Sequence, residues 1–229
     1  MQSIYFVDSN FTYESSKKSI LSIRYATDGF SFCVHDETGK LVVFVHEPYA
    51  ADSREAAVAR LKNYVVNDAI LNLRFKKVYI MPCFKEKLLV PGAFFDKANI
   101  TTLYTVNQEV SPDDTILYHH IEGIEAYLVE TVISSFHDFV REHFPVFQIV
   151  NGAYPFILGA MGKALRDTEQ IFLDIQDNYF DLLFIRDSGI QLFNTFSYKA
   201  TTDIVYFSLN CIKECGINQE KAHLSICGP

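Results

Sequence analysis

Arg24, the His119-His120 pair with Glu122, and five cysteines are the side chains here whose types could do chemistry. Arg24 lies near the end of the apolar stretch Leu21 to Ala26. A guanidinium there can hold a phosphate or carboxylate through two parallel hydrogen bonds, or pair with a neighbouring acid. The second use is the commoner and is the expectation. His119, His120 and Glu122 carry metal-ligating groups, but adjacent residues of a strand point to opposite faces, so the two imidazoles cannot converge on one ion. His137 and His143 are six apart on one expected helix, a spacing that does not align two ligands. Cys33, Cys83, Cys211, Cys215 and Cys227 are odd in number, form no CxxC pair and have no His or Lys beside them in a recognisable catalytic pattern. Free thiols in a reducing compartment are expected. Neither a metal site nor a catalytic residue follows from these groups.

The elements that would position them read as an α/β chain. Ser19 to Ala26, Phe30 to His35 and Leu41 to Glu47 are expected strands, the last two joined through Asp36-Glu37-Thr38-Gly39, with glycine where a positive φ is wanted. Asp52-Ser53 caps a helix carrying Ala57, Leu61, Tyr64, Val65 and Ile70, and Val78 to Met81 is a buried strand closed by Pro82. The same order returns. Strands are expected over Ile171 to Ile175, Phe180 to Arg186 and Gln191 to Tyr198, with Asp187-Ser188-Gly189 as the turn. A helix then opens at Thr202-Asp203, runs through Tyr206, Leu209 and Ile212 and ends at Gly216, before a closing strand from Ala222 to Cys227. Gly39 and Gly189 are 150 apart, and Pro82 pairs with Gly228 at an offset of 146. Element order and turn position repeating together indicate a duplication. Between the copies, Phe95 to Asp114 lacks periodicity and reads as a lobe connection. Beyond it come strands over 115–121 and 124–132, a helix from Ser134 to His143, a strand over 146–150 and a helix from Tyr154 to Leu165 with Phe156, Ile157, Ala160, Met161 and Leu165 inward.

A three-stranded meander, a helix and a further strand, occurring twice, resembles the superfamily of actin, sugar kinases and heat-shock chaperone ATPases. The second copy is most similar to the cell-division and pilus-assembly actin-like proteins, and the whole chain to an uncharacterised bacterial family with that fold. The resemblance implies a two-lobed actin-like ATPase fold with a duplicated ribonuclease-H-like motif, a first lobe over 1–105 and a second over 106–229. It also implies cofactor-binding positions. In Leu173-Asp174-Ile175-Gln176-Asp177-Asn178-Tyr179-Phe180-Asp181, Asp174 falls on the motif aspartate of the phosphate turn and Asp181 on a later acidic position, and Gly228 stands for the glycines that contact adenosine. Gln176 replaces the glycine that lets a backbone approach a phosphate. In the first copy Arg24 replaces the aspartate and Ala26 the glycine, which removes a carboxylate that would hold magnesium or an attacking water.

Of the 229 residues, 28 are Asp or Glu and 20 Lys or Arg, a net charge of −8 that opposes the counterion release on which nonspecific nucleic-acid binding depends. No apolar run reaches membrane-spanning length, and the N-terminus has no basic leader, so a cytoplasmic protein is expected. The 20 Phe and 13 Tyr fill cores. A metal-dependent nuclease would need carboxylates where Arg24 stands. The expected function is a protein-binding scaffold or regulator with a degenerate nucleotide site. The alternative is an ATP-dependent enzyme or nucleotide-switched protein. No cofactor is expected to be required, ATP with magnesium being the pair the resemblance allows.

Overall fold

Where apolar residues alternate the chain forms strands, and where they recur every three to four it forms helices. In the computed structural model, which describes residues 2–228, the order begins β1 (Ile4–Val7), α1 (Tyr13–Ser16), β2 (Ile20–Ala26), β3 (Gly29–His35), β4 (Leu41–Pro48), α2 (Arg54–Asn67) and β5 (Lys77–Pro82). It continues through β6 (Lys87–Pro91), α3 (Ile100–Asn107), β7 (Asp114–His120), β8 (Ala126–Ile133), α4 (Ser134–His143), β9 (Phe147–Ile149) and α5 (Ala153–Met161). It closes with β10 (Glu169–Ile175), β11 (Tyr179–Arg186), β12 (Gly189–Ser197), α6 (Thr201–Glu214) and β13 (His223–Cys227). The sheets are ordered β1-β4-β3-β2-β5-β9, β12-β11-β10-β13 and β6-β8-β7.

The duplication holds strand for strand. Order β4-β3-β2-β5 in the first sheet matches β12-β11-β10-β13 in the second, with an antiparallel meander and a parallel fourth strand in each. The register irregularity in the meander falls between Val34 and His35 in one copy and between Phe184 and Ile185 in the other, again 150 apart. The hairpin turns differ. In the first, Gly39 takes φ 82° and the Asp36 carboxylate accepts bonds from Thr38 and Lys40. In the second, Asp187 and Ser188 take the positive φ values, and Gly189 is already the first residue of β12.

By contacts the chain forms two compact units, 1–84 with 110–117 and 130–152, and 85–109 with 118–129 and 153–229. The division is thus not the single break at 105/106 that the linear reading expects. In the first unit, Leu21, Ile23 and Tyr25 of β2 alternate with polar neighbours and pack with Ala57, Leu61 and Val65 of α2 and Phe136 and Val140 of α4. In the second, β10 and β11 are buried on both faces, so they read as near-continuous apolar runs. Ile171, Leu173 and Phe180 meet Ile204 and Phe207 of α6, while Phe172, Leu183 and Ile185 meet Ala153, Ile157 and Ala160 of α5.

Several local expectations are corrected. The stretch 95–114 holds α3, whose buried Ile100 and Tyr104 are four apart, and it belongs to the second unit as far as Glu109. α2 stops at Asn67 because the Asp68 carboxylate accepts from the Ile70 and Leu71 N–H groups and turns the chain, leaving Ile70 outside the helix. α5 ends at Met161, and Leu165 beyond it is exposed. β1 and β6 have no counterpart in the sequence reading.

The repeat also pairs the helix starts. The Ser53 hydroxyl accepts from the Ala56 N–H at 3.2 Å, whereas the equivalent N-cap of α6 is Ala200, which has no side-chain oxygen to offer. Ser53→Ala is expected to lower unfolding stability by about 1 kcal/mol and Ala200→Ser to raise it by about 0.5–1 kcal/mol, read as opposite shifts of the urea midpoint. Shifts of the same sign would contradict this.

Candidate functional site

Sheet register decides which side chains stand in one row. Asp174 on β10 lies opposite Asp181 on β11 and beside Cys227 on β13, and Asp181 lies opposite Thr195 on β12. The first copy has Arg24 opposite Ser31, with Met81 beside it and His46 beyond Ser31. Arg24 therefore occupies the place of Asp174, as the 150-residue offset requires.

The acidic row is closed by a residue from elsewhere in the chain. Lys87, the first residue of β6, puts its Nζ 2.9 Å from Asp181 Oδ1, with the two side chains 0% and 2% exposed. The Thr195 hydroxyl donates to the same oxygen at 2.6 Å, and the ammonium also lies 4.6 Å from the centre of the Tyr179 ring. Burial pushes the Asp181 carboxyl above its usual range, opposed by the Lys87 ammonium and the Thr195 hydroxyl. α3 fixes this strand start. The fully buried Tyr104 donates its hydroxyl to the Glu86 carbonyl at 2.9 Å.

Asp174 and Gly228, the two expected cofactor positions, come together at the C-terminal ends of adjacent parallel strands. A side chain at Gly228 would run into the Ile175 carbonyl oxygen, so this backbone is already packed close. Gln176 donates from Nε2 to Asp174 Oδ1 at 2.9 Å, and Cys227 Sγ lies 3.7 Å from the same oxygen. The turn after β10 is held shut: the Gln176 N–H donates to the Tyr179 carbonyl, and the Tyr198 hydroxyl donates to the Gln176 carbonyl at 2.6 Å. Burial first, and the Asp181 carboxylate second, raise the pKa of Asp174. Burial and then Asp174 push the Cys227 thiol up to about 11, far from the thiolate a nucleophile needs.

In this row Asp181 is answered by an internal ammonium and Asp174 accepts from an amide. In the first copy Arg24 Nη1 reaches Asp28 Oδ1 at 3.4 Å, the ion-pair use expected of it. Among the described residues no group of three or more His, Cys, Asp or Glu could hold a metal ion. His120 is exposed against Tyr127, while burial lowers the pKa of His119. Lys87 and Thr195 are the residues that sequence reasoning missed. Thr195 is legible once Asp181 is placed, because the hairpin sets them opposite. Lys87 sits in Lys85-Glu86-Lys87, which looks like a solvated surface.

A family model described as a protein of unknown function, DUF3822, matches residues 8–229. The chain belongs to the DUF3822 family. No curated protein matches it in sequence. Among solved structures, a Bacteroides thetaiotaomicron protein with an actin-like ATPase fold and unknown function superposes with a TM-score of 0.88 at 23% identity, covering 96% of this chain and 85% of that one. A chain of the PilM-PilN type IV pilus biogenesis complex gives a TM-score of 0.50 at 12% identity, over 87% of this chain and 66% of that one. At these identities the likeness is one of fold. This DUF3822 chain has the actin-like ATPase fold, and among its described residues no helix is long and apolar enough to cross a membrane.

Lys87→Met leaves Asp181 buried without its ammonium and is expected to cost about 3–5 kcal/mol, while Lys87→Met combined with Asp181→Leu recovers most of that loss. Urea unfolding of the single and double variants checks it, and additive losses would contradict it. A carboxyl whose pKa is raised by folding favours the fold while protonated, and that contribution is lost as pH rises through the folded value. Wild type is therefore expected to lose stability relative to Asp174→Asn as pH rises from about 3 to about 7. Urea midpoints at each pH measure the difference, variant minus wild type, and a difference that stays constant or falls as pH rises rejects the assignment.

Proposed function

We propose that this protein is a protein-binding scaffold or regulator built on the actin-like fold, with a nucleotide site that no longer performs phosphoryl chemistry. The observation that carries the reading is the buried Lys87–Asp181 pair, an ammonium of the chain itself seated on the carboxylate of the acidic row. Phosphoryl transfer depends on positioning and on charge placed to meet the transition state, with metal ions bridging the phosphates. Here Arg24 stands at one motif position, and Gln176 bonded to Asp174 fills the turn at the other. A fold of this kind also occurs in the PilM-PilN complex, an assembly of two proteins, which supports a partner-binding use of the architecture. Five free cysteines suit a reducing compartment, and we place the protein in the cytoplasm.

The alternative, a nucleotide-switched protein, draws on one observation: Asp174 and Gly228 remain side by side at the strand ends. One experiment separates the readings. Calorimetric titration with ATP and magnesium, alongside a phosphate-release assay, is expected to show weak or undetectable binding and no turnover above a protein-free control. Each lost transition-state donor costs about 3 kcal/mol. Magnesium-dependent turnover that Asp174→Ala abolishes would overturn the proposal.

A further inference from the structure

The two copies match strand for strand up to one difference at the edge. In the first copy β5 carries a parallel outer neighbour, β9. It is held by bonds from the Val78 N–H to the Val146 carbonyl at 2.9 Å, from the Val150 N–H to the Ile80 carbonyl at 2.9 Å, and from the Gly152 N–H to the Pro82 carbonyl at 3.0 Å. In the second copy β13, the equivalent of β5, is the last strand of its sheet among the described residues. The offset of 146 maps Val78, Ile80 and Pro82 onto Leu224, Ile226 and Gly228, and the registers against β2 and β10 agree rung by rung. The N–H and C=O groups of Leu224 and Ile226 therefore face outward along an open edge, as those of Val78 and Ile80 face β9.

The side chains tell the same story. Val78 and Ile80 are 3% and 1% exposed, whereas Leu224 and Ile226, at the same positions, are 58% and 60% exposed. Val205 and Leu209 of α6, the helix over the same sheet, are exposed as well. A groove of about 200 Å³ runs beside the strand, lined among others by Phe156, Lys163, Phe172, Ser225, Ile226 and Cys227. A strand laid along this edge would send alternate side chains to the two faces, one set over Leu224 and Ile226 and the other into the groove.

We infer that the outer edge of β13 is a docking site for an extended segment of a partner protein, added as a parallel strand with apolar side chains at alternate positions. The internal repeat selects the orientation. A second copy related by a two-fold axis would set β13 against β13 antiparallel, whereas the equivalent edge of the first copy is covered by a parallel strand. Main-chain bonds would give the affinity, and the groove and the Leu224–Ile226 face the selectivity. This inference names the partner surface of the scaffold proposed above and rests on that reading.

The probe is a fluorescent peptide of residues 145–152 of this chain, the segment that covers β5. It is expected to bind the full chain and to slow amide exchange at Leu224 and Ile226. N-methylation of the peptide at its Val150 position, which removes the donor to the strand edge, is expected to weaken binding by roughly tenfold or more. Ile226→Pro, which deletes an outward N–H at an edge position, should do the same. The methylated peptide keeps the test valid should that variant misfold. Equal binding by both peptides, or unchanged exchange at Leu224 and Ile226, would overturn the inference. So would a wild-type dimer in sedimentation that Ile226→Pro dissociates, since a second copy would then be the occupant. ATP turnover in the same samples would count against the scaffold reading alone, and loss of peptide binding without turnover against strand addition alone.

Discussion

An ammonium with none of its surface in water must be answered by a carboxylate, and in this protein Lys87 and Asp181 answer one another. Much of the second unit follows from that requirement. β6 has to start where its first side chain reaches the centre of another sheet, α3 has to hold the Glu86 carbonyl in place through Tyr104, and Thr195 has to face Asp181 across the hairpin. Each of these is a local constraint, yet together they tie residues from 86 to 195 into one arrangement. In the first unit a comparable junction joins the start of α2 to the strands after it. Arg54 bonds to Thr131 at 2.9 Å and pairs with Asp114, and nearby in sequence Asn151 donates to the buried Glu130 at 3.1 Å.

How far the sequence alone discloses this depends on the kind of force involved. The duplicated meanders are legible because burial of one or both faces writes itself into alternation or continuous apolar runs, and because Arg24, Asp174, Ser31 and Asp181 keep a fixed spacing through two registers. Asp174 and Gly228 were singled out by the resemblance alone, and the structure sets them near one another at the ends of the parallel strands β10 and β13. Lys87 could not be picked out, since a lysine between Glu86 and Leu88 carries the same local signature whether it meets water or an aspartate on a strand of another sheet. α3 was hidden for a related reason: only Ile100 and Tyr104 of its residues are buried, too few to write a helical period. The turn glycines mislead in the opposite direction, because the spacing of Gly39 and Gly189 is real while only the first has the left-handed backbone.

The two copies have parted in chemistry while keeping geometry. A row that reads His46-Ser31-Arg24-Met81 in one copy reads Thr195-Asp181-Asp174-Cys227 in the other, and the Ser31–His46 contact at 2.9 Å stands where Thr195 bonds Asp181. Hydrogen bonding across the row survives the exchange of nearly every group that makes it. A strand ladder made by the backbone tolerates such exchange so long as each buried polar atom finds a partner. Backbone geometry and the side-chain chemistry placed on it can therefore vary separately.

The interleaving of the two units bears on the order in which the chain can acquire structure. β9 reaches its place beside β5 only after the chain has run from Pro82 to Phe147, through segments that belong to the other unit. The meander, helix and last strand of the second copy, by contrast, are one uninterrupted run from Glu169 to Cys227. Closing a long loop costs entropy before its contacts repay it, so the later-synthesised sheet has the shorter search. During translation the N-terminal meander must wait with its β5 edge uncovered until residues near 150 leave the ribosome, a stage at which an exposed strand edge is open to wrong pairing.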